Sequence, residues 1–188
     1  MLFRSTCRRS LPALALPPLA ALLLGAMLLV SACSPALNWR EVRGTEAPFS
    51  VLLPAKPATH ARGIDLNGLK VTMSMTAAEA SGASFAVGAV KLADPAQHAA
   101  ALAAMQTAMV RNIRGEIKRQ QTVRLADGSS ATEIEAAGRV GNHGQPVLLA
   151  ARFASKGIWV VQAVAMGEPD KLSREAIETF LGSLALTH

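Results

Sequence analysis

The alternation of apolar and polar side chains after residue 68 is the feature that most constrains the fold. The alternation is strict over residues 69–76, where the apolar positions are Leu69, Val71, Met73 and Met75. A period of two places these four side chains on one face of a β-strand that lies on a core. Asn67-Gly68 comes directly before this strand, and Asn-Gly accepts the positive φ angles of a two-residue hairpin turn. We therefore expect the extended residues 60–66 to pair with the alternating strand.

Several other segments have the composition of β-strands separated by turn residues. Two of them, 147–151 and 158–161, are apolar on both faces, which is typical of central strands that are covered on both sides. The expected strands, besides the hairpin, are residues 49–53, 83–92, 116–125, 131–140, 146–154 and 158–166.

Two helices complete the pattern. Asp94-Pro95 has the residues of a helix start, Gly115 is expected to end that helix, and an apolar stripe runs between them through Leu102, Met105, Met109 and Ile113. Such a helix of about twenty residues would be about 30 Å long. The second helix is C-terminal, with apolar residues at Ile177, Phe180, Leu181 and Leu184. The order of elements predicts an α+β fold, in which an antiparallel sheet is covered by a long middle helix and a C-terminal helix.

The first 33 residues have the parts of a secretory signal. Three arginines precede an uncharged apolar run over residues 11–30, and Val30, Ser31 and Ala32 precede Cys33. This pattern resembles a bacterial lipobox, which implies that residues 1–32 are removed and that Cys33 is acylated. The alternative is an uncleaved membrane anchor, but three prolines shorten the usable apolar run to about twelve residues, fewer than a span needs.

This interpretation divides the chain into a signal peptide (1–32), a lipidated N-terminus and tether (33–47) and one α+β domain (48–188). It places the domain in the cell envelope, facing the periplasm. Ser34 stands where enteric bacterial lipoproteins retained at the inner membrane carry aspartate, and this resemblance favours the outer membrane. Trp39 is expected either to lie at the membrane interface or to fix the tether to the domain.

Charge and composition exclude some classes of function. The formal net charge is +6, but three of the 19 basic residues belong to the predicted signal, so the remaining surplus is too small for a nucleic-acid-binding surface. Tyrosine is absent and aromatic residues make up 4% of the chain, so stacking platforms for bases or sugars are not expected. We expect no nucleic-acid partner.

No catalytic, cofactor or metal site is predicted. The histidines are scattered and none has another ligand at metal-binding spacing. Glu133 and Glu135 alternate on one strand; they either pair with Arg119 or Arg124 across strands or serve a carboxylate-dependent hydrolase. Met105 and Met109 either fill the core or line a pocket for an apolar ligand. The densest basic cluster, a possible interaction patch, contains Arg111, Arg114, Lys118 and Arg119.

Packing motifs in the chain resemble a known group. Leu53-Pro54 at the end of a strand, the strand 158–166 and the terminal motif 180–184 recur in small bacterial envelope lipoproteins with a PsbP-like fold. The segment from Cys33 to Glu41 also resembles uncharacterised proteobacterial lipoproteins. PsbP-like proteins are usually non-catalytic accessory or assembly factors. The resemblance therefore implies a membrane-anchored interaction module whose partner is another envelope protein, bound through a sheet edge or the basic helix end.

Overall fold

A computed structural model describes residues 37–187. Ten strands and two α-helices make up this part of the chain. The strands are β1 (Arg40–Arg43), β2 (Phe49–Leu53), β3 (Ala58–Leu66), β4 (Leu69–Ala80), β5 (Ala83–Lys91), β6 (Glu116–Arg124), β7 (Ser130–Val140), β8 (Gln145–Lys156), β9 (Trp159–Gly167) and β10 (Ala185–Leu186). The helices are α1 (His98–Asn112) and α2 (Arg174–Gly182).

Seven strands form one antiparallel sheet in the order β3-β4-β5-β9-β8-β7-β6. The expected hairpin is confirmed, since β3 pairs with β4 through nine successive residue pairs. Asn67 and Gly68 have φ angles of 59° and 94°, the values of a type I′ turn. Strand β9 lies at the centre of the sheet, with Val160 on one face and Val161 on the other, both fully buried. Its two apolar faces therefore indicated its position correctly.

The large sheet is covered on both faces. Helix α1 packs on one face, where Met105 and Ile113 join a core with sheet residues such as Ile134 and Leu149. A small antiparallel sheet, in the order β1-β2-β10, and helix α2 pack on the other face. The fold is therefore α+β and antiparallel as expected, but the sheet dominates it.

The middle helix is shorter than the twenty residues expected. Asp94 accepts a hydrogen bond from the backbone N–H of Ala96 at 2.8 Å, but the turn it caps, Pro95–Gln97, is a 3₁₀ helix. The α-helix that follows has fifteen residues. Arg114, not Gly115, adopts the left-handed conformation at its end, with φ 45°. Gly115 is required for a different reason, since a Cβ there would lie 2.5 Å from the carbonyl oxygen of Ala137.

Part of the segment expected to be a tether belongs to the folded domain. Residues 40–43 form β1, which pairs with β2 in four residue pairs. Trp39 packs edge-on against Phe85 with ring centroids 6.1 Å apart. Of the two positions considered for Trp39, the structure shows the contact with the domain. Residues 40–43 have three charged side chains and one apolar side chain, and this short segment has no alternation that would indicate a strand.

The terminal motif 180–184 has a structural explanation. Phe180 and Leu184 are fully buried. Ser183 Oγ donates to the carbonyl oxygen of Phe180 at 2.7 Å and accepts from the backbone N–H of Leu52 at 2.8 Å. The serine therefore joins the end of α2 to strand β2.

Candidate functional site

The basic residues predicted as an interaction patch lie in two separate groups. Arg111 is exposed in the last turn of α1 and lines an open groove between that helix and the β3–β4 turn. Arg114 follows the helix, and its guanidinium donates to the carbonyl oxygen of Gly141 at 2.7 Å. Arg114 therefore connects the end of α1 to the β7–β8 turn.

Lys118 and Arg119 lie on β6. Lys118 stands at a β-bulge, where the pairing of β6 with β7 shifts by one residue, and it pairs with Glu116. Arg119 lies opposite Glu135 on β7 and donates to it at 2.7 Å. This contact is on the face that α2 covers, whereas α1 covers the other face. The predicted cluster is therefore divided, because Arg111 lies on α1 and Arg119 lies on the opposite side of the large sheet, beneath α2.

Arg119 belongs instead to a charged cluster beneath α2, here called the Glu133–Glu135 cluster, with Arg152 and Arg174. Glu133 is 8% exposed, and its Oε2 accepts from Arg152 Nε at 2.7 Å. Gln121 donates to its Oε1 at 2.8 Å. Arg152 Nη1 also donates to the carbonyl oxygen of Leu181 at 2.6 Å, which connects β8 to α2.

Glu135 completes the cluster. Its Oε1 accepts from Arg174 Nη1 at 2.6 Å and from Arg119 Nη2 at 2.7 Å. The expected cross-strand pairing of Arg119 with these glutamates is confirmed. The alternative partner Arg124 is wrong, because Arg124 donates to the carbonyl oxygen of Gly128.

The cluster lowers the pKa of Glu135. The hydrogen bond from Arg174 is the largest cause; partial burial opposes it, and the hydrogen bond and charge of Arg119 lower the pKa further. A general acid that works near neutral pH needs a raised pKa. The arginines therefore favour the ionised form of Glu135, which lines a cleft of about 150 Å³.

Acid titration tests this interpretation. A depressed folded-state pKa makes ionised Glu135 stabilising above its ordinary pKa of 4.5, and this stabilisation is lost as the pH falls below that value. We expect the free energy of unfolding of the wild type to fall more steeply below pH 4.5 than that of Glu135→Gln. Urea unfolding from pH 7 to pH 3 measures both slopes. Equal slopes would show that the arginines do not stabilise the carboxylate.

The methionines expected either to fill the core or to line a pocket fill the core. Met105 is 2% exposed and packs in the same cluster as Met73 and Phe153, with Met109 at its margin. Five surface grooves of about 150 to 670 Å³ in residues 37–187 are lined by other residues. Of the two roles considered, the structure shows Met105 in the core.

The predicted lipidation site lies outside the residues that the structure describes. Cys33, the predicted lipidation site, lies outside residues 37–187, as does the predicted signal peptide. Within the described range, no three His, Cys, Asp or Glu side chains are grouped so that they could hold a metal ion. Helices long and apolar enough to cross a membrane are also absent from residues 37–187.

The edges of the large sheet are a feature that the sequence did not reveal. Strands β3 and β6 are the outer strands, and almost all of their residues are exposed or partly exposed. An outer strand presents unpaired backbone N–H and C=O groups to which another chain can bind. The sequence identified β3 as extended, but only the strand order shows that it is an edge.

Comparison with known proteins gives information on the fold alone. No family model matches the chain, and no curated protein matches it. The solution structure of cyanobacterial PsbP (CyanoP) from Synechocystis sp. PCC 6803 is similar, with a TM-score of 0.52 and 12% identity, over 84% of this chain and 99% of that one. The Ran-binding protein Mog1p from Saccharomyces cerevisiae matches with a TM-score of 0.45 and 12% identity, over 80% of this chain and 96% of that one. The similarity to CyanoP, together with the antiparallel sheet covered on both faces, shows that this chain has a PsbP-like fold.

Proposed function

We propose that the protein is a lipid-anchored, non-catalytic interaction module of the bacterial cell envelope. It is anchored through Cys33, faces the periplasm and binds another envelope protein. The outer membrane is the favoured location, because Ser34 follows the acylated cysteine.

One structural observation carries the non-catalytic part of this proposal. Glu133 and Glu135 are the carboxylates best sheltered for chemistry, and arginines occupy oxygens of both. Both faces of the large sheet are covered, whereas its two outer strands are open. The geometry thus favours recognition of a protein at an edge over catalysis in a cleft.

The two other candidate functions have weaker support. An apolar-ligand module needs the space that Met105 occupies. A hydrolase using Glu133 or Glu135 needs a carboxylate free to accept or donate a proton, and the Glu133–Glu135 cluster holds both in ion pairs. Neither function is proposed.

The anchor is tested by a cysteine replacement with a matched control. Cys33→Ala is expected to shift the protein from the membrane fraction to the soluble fraction, because the replacement removes the only attachment point of the acyl chains. Cys7→Ala changes the other cysteine and should leave membrane association and metabolic acyl labelling intact. Retention of the Cys33→Ala protein in membranes, with its apparent mass unchanged, would instead indicate an uncleaved anchor.

The interaction is tested in cells by crosslinking the tagged wild-type protein and identifying its partners by mass spectrometry. The Cys7→Ala variant should recover the same partner as the wild type, and Cys33→Ala should lose it. Recovery of no partner above background from the anchored forms would contradict the proposed function.

A further inference from the structure

The type I′ turn establishes which backbone groups of β3 are free. In such a turn the two flanking residues, Leu66 and Leu69, form a hydrogen-bonded pair. Hydrogen-bonded and non-hydrogen-bonded pairs then alternate along an antiparallel ladder. Because β3 and β4 pair without a shift from Leu66 back to Ala58, every second residue of β3 directs its N–H and C=O outward. These residues are Thr59, Ala61, Gly63 and Asp65.

The two outer strands are not equally open to another strand. In β6 the bulge near Lys118 shifts the pairing register, and bulges with charged residues are features by which proteins protect an edge from added strands. In β3 the nine residue pairs are unbroken and no proline interrupts the strand. The regular, extended edge of β3 is therefore the one to which a further strand can bind.

A groove for side chains lies beside β3. On the face covered by the small sheet, a groove of about 340 Å³ is lined by Thr59 and Ala61 of β3, Ser74 of β4 and Trp159 of β9. A Cβ built on Gly63, on the same face, has no atom within 4 Å. The small side chains of β3 thus leave room for every second side chain of an added strand.

The two faces beside the edge differ in charge, since Glu46 and Lys91 both line the groove on one face and an arginine lies on the other. On the other face of β3, Arg62 is exposed. Lys70 of β4 is also exposed, but it pairs in register with Asp65 and lies on the face of the groove. Among the side chains of residues 37–187, neither Arg62 nor Lys70 forms an ion pair within 4.0 Å. The one acidic residue of β3, Asp65, accepts a hydrogen bond from the backbone N–H of Gly68. An added strand with a carboxylate beside Arg62 on the face opposite the groove would pair with that unpartnered cation.

We propose that β3 binds an extended acidic segment of a partner protein as an eighth strand of the large sheet. Backbone hydrogen bonds to Thr59, Ala61 and Gly63 hold the segment. Its apolar side chains enter the groove beside Ala61, and its carboxylates lie near Arg62. This inference rests on the proposed function and names the surface and the chemistry of the partner.

The test uses a defined probe, an eight-residue peptide in which glutamate and valine alternate, labelled for fluorescence anisotropy. We expect saturable binding to the purified protein and weaker binding of the matching lysine–valine peptide. Ala61→Pro removes an outward N–H but no hydrogen bond to β4, and proline at such a position is tolerated in an edge strand. The variant should bind the acidic peptide at least about tenfold more weakly, equivalent to about 1.4 kcal/mol.

The opposite edge supplies the matched control. The backbone N–H of Leu125 donates to the carbonyl oxygen of Ser129, so these two residues form a hydrogen-bonded pair. Hydrogen-bonded and non-hydrogen-bonded pairs alternate along the β6–β7 ladder. Thr122, three residues before Leu125, therefore directs its N–H and C=O outward. Thr122→Pro should therefore bind the acidic peptide as tightly as the wild type. Equal weakening by both proline variants would overturn the assignment to β3.

Two further measurements are independent of the proline variants. Arg62→Glu should weaken binding of the acidic peptide, whereas the same change at the exposed Arg40 should not. Amide hydrogen exchange, followed by NMR, should slow at Gly63 when the peptide binds, while Arg62, already bonded to β4, should change little. Unchanged exchange at Gly63 with the peptide bound would refute strand addition.

The remaining outcomes distinguish other occupants and the failure of the broader proposal. If the wild type forms a dimer and Ala61→Pro abolishes it, the strand that binds β3 belongs to a second copy of this chain and the proposal of an acidic partner is wrong. If the wild type binds anionic vesicles and Ala61→Pro weakens that binding equally, the edge of β3 contacts a membrane and the proposal of a protein partner there is wrong. If the in-cell partner crosslinks equally to Ala61→Pro, the β3 proposal fails while the proposed function stands. If no form recovers a partner, the proposed function itself fails.

Discussion

Replacing Phe180 by alanine is expected to destabilise the protein by about 4 kcal/mol. Phe180 is fully buried on α2 and packs edge-on against Phe85 of β5, with ring centroids 5.4 Å apart. Phe85 in turn contacts Trp39, so the ring connects α2 to the large sheet and to the residue that precedes β1. Small domains have a total stability of about 5–15 kcal/mol, and this one change is therefore expected to remove a large share.

Guanidinium-induced unfolding measures the effect. Phe180→Leu keeps most of the volume and should cost less than about 1.5 kcal/mol. Glu178→Ala, at an exposed position of the same helix, controls for changes in helix propensity. A loss below about 1 kcal/mol in Phe180→Ala would mean that the surrounding core closes over the missing ring.

Arg152→Ala is expected to have the second largest effect, a loss of about 3 kcal/mol. The change leaves Glu133, at 8% exposure, without its nearest cation, because Arg119 lies 3.5 Å away and is half exposed. It also removes the hydrogen bond to the carbonyl oxygen of Leu181 at the end of α2. The cost comes mainly from a buried carboxylate that has lost its compensation.

A double replacement separates that cost from simple loss of packing. Glu133→Gln added to Arg152→Ala removes the stranded charge and leaves the packing loss unchanged, so the double variant should recover the part of the stability that the unpaired carboxylate costs. The comparison of the single and double variants by urea unfolding at pH 7 measures the coupling. Equal losses of stability in the single and double variants would show that the unpaired charge of Glu133 contributes nothing to the cost of Arg152→Ala.

The local elements were predictable because their signals are local. Asn67-Gly68 specifies a turn through the φ angles that these two residues accept, and strand β9 is apolar on both faces because both faces are buried. The middle helix was overestimated, since the apolar stripe continues to Ile113 whereas the first turn, Pro95–Gln97, is 3₁₀. An apolar stripe shows what is buried and does not specify the hydrogen-bond pattern at a helix end.

The candidate sites were less predictable than the elements. The contact of Arg119 with Glu135 followed from the alternation along two adjacent strands. The roles of Arg152 and Arg174 did not, because they reach the cluster from β8 and α2. The sequence also did not show that Arg111 and Arg119, close in the chain, lie on opposite sides of the large sheet.

The sequence by itself determined the turn at residues 67–68, most strands of the large sheet and the fact that its central strand is buried on both faces. Only the tertiary structure decided that β3 and β6 are the edges, that residues 40–43 form a strand and that Glu133 and Glu135 are enclosed by three arginines. The physical reason is that alternation along a strand records which face is buried, whereas strand order depends on pairing between residues far apart in the chain. The open edge of β3, to which the proposed partner binds, is a consequence of that order.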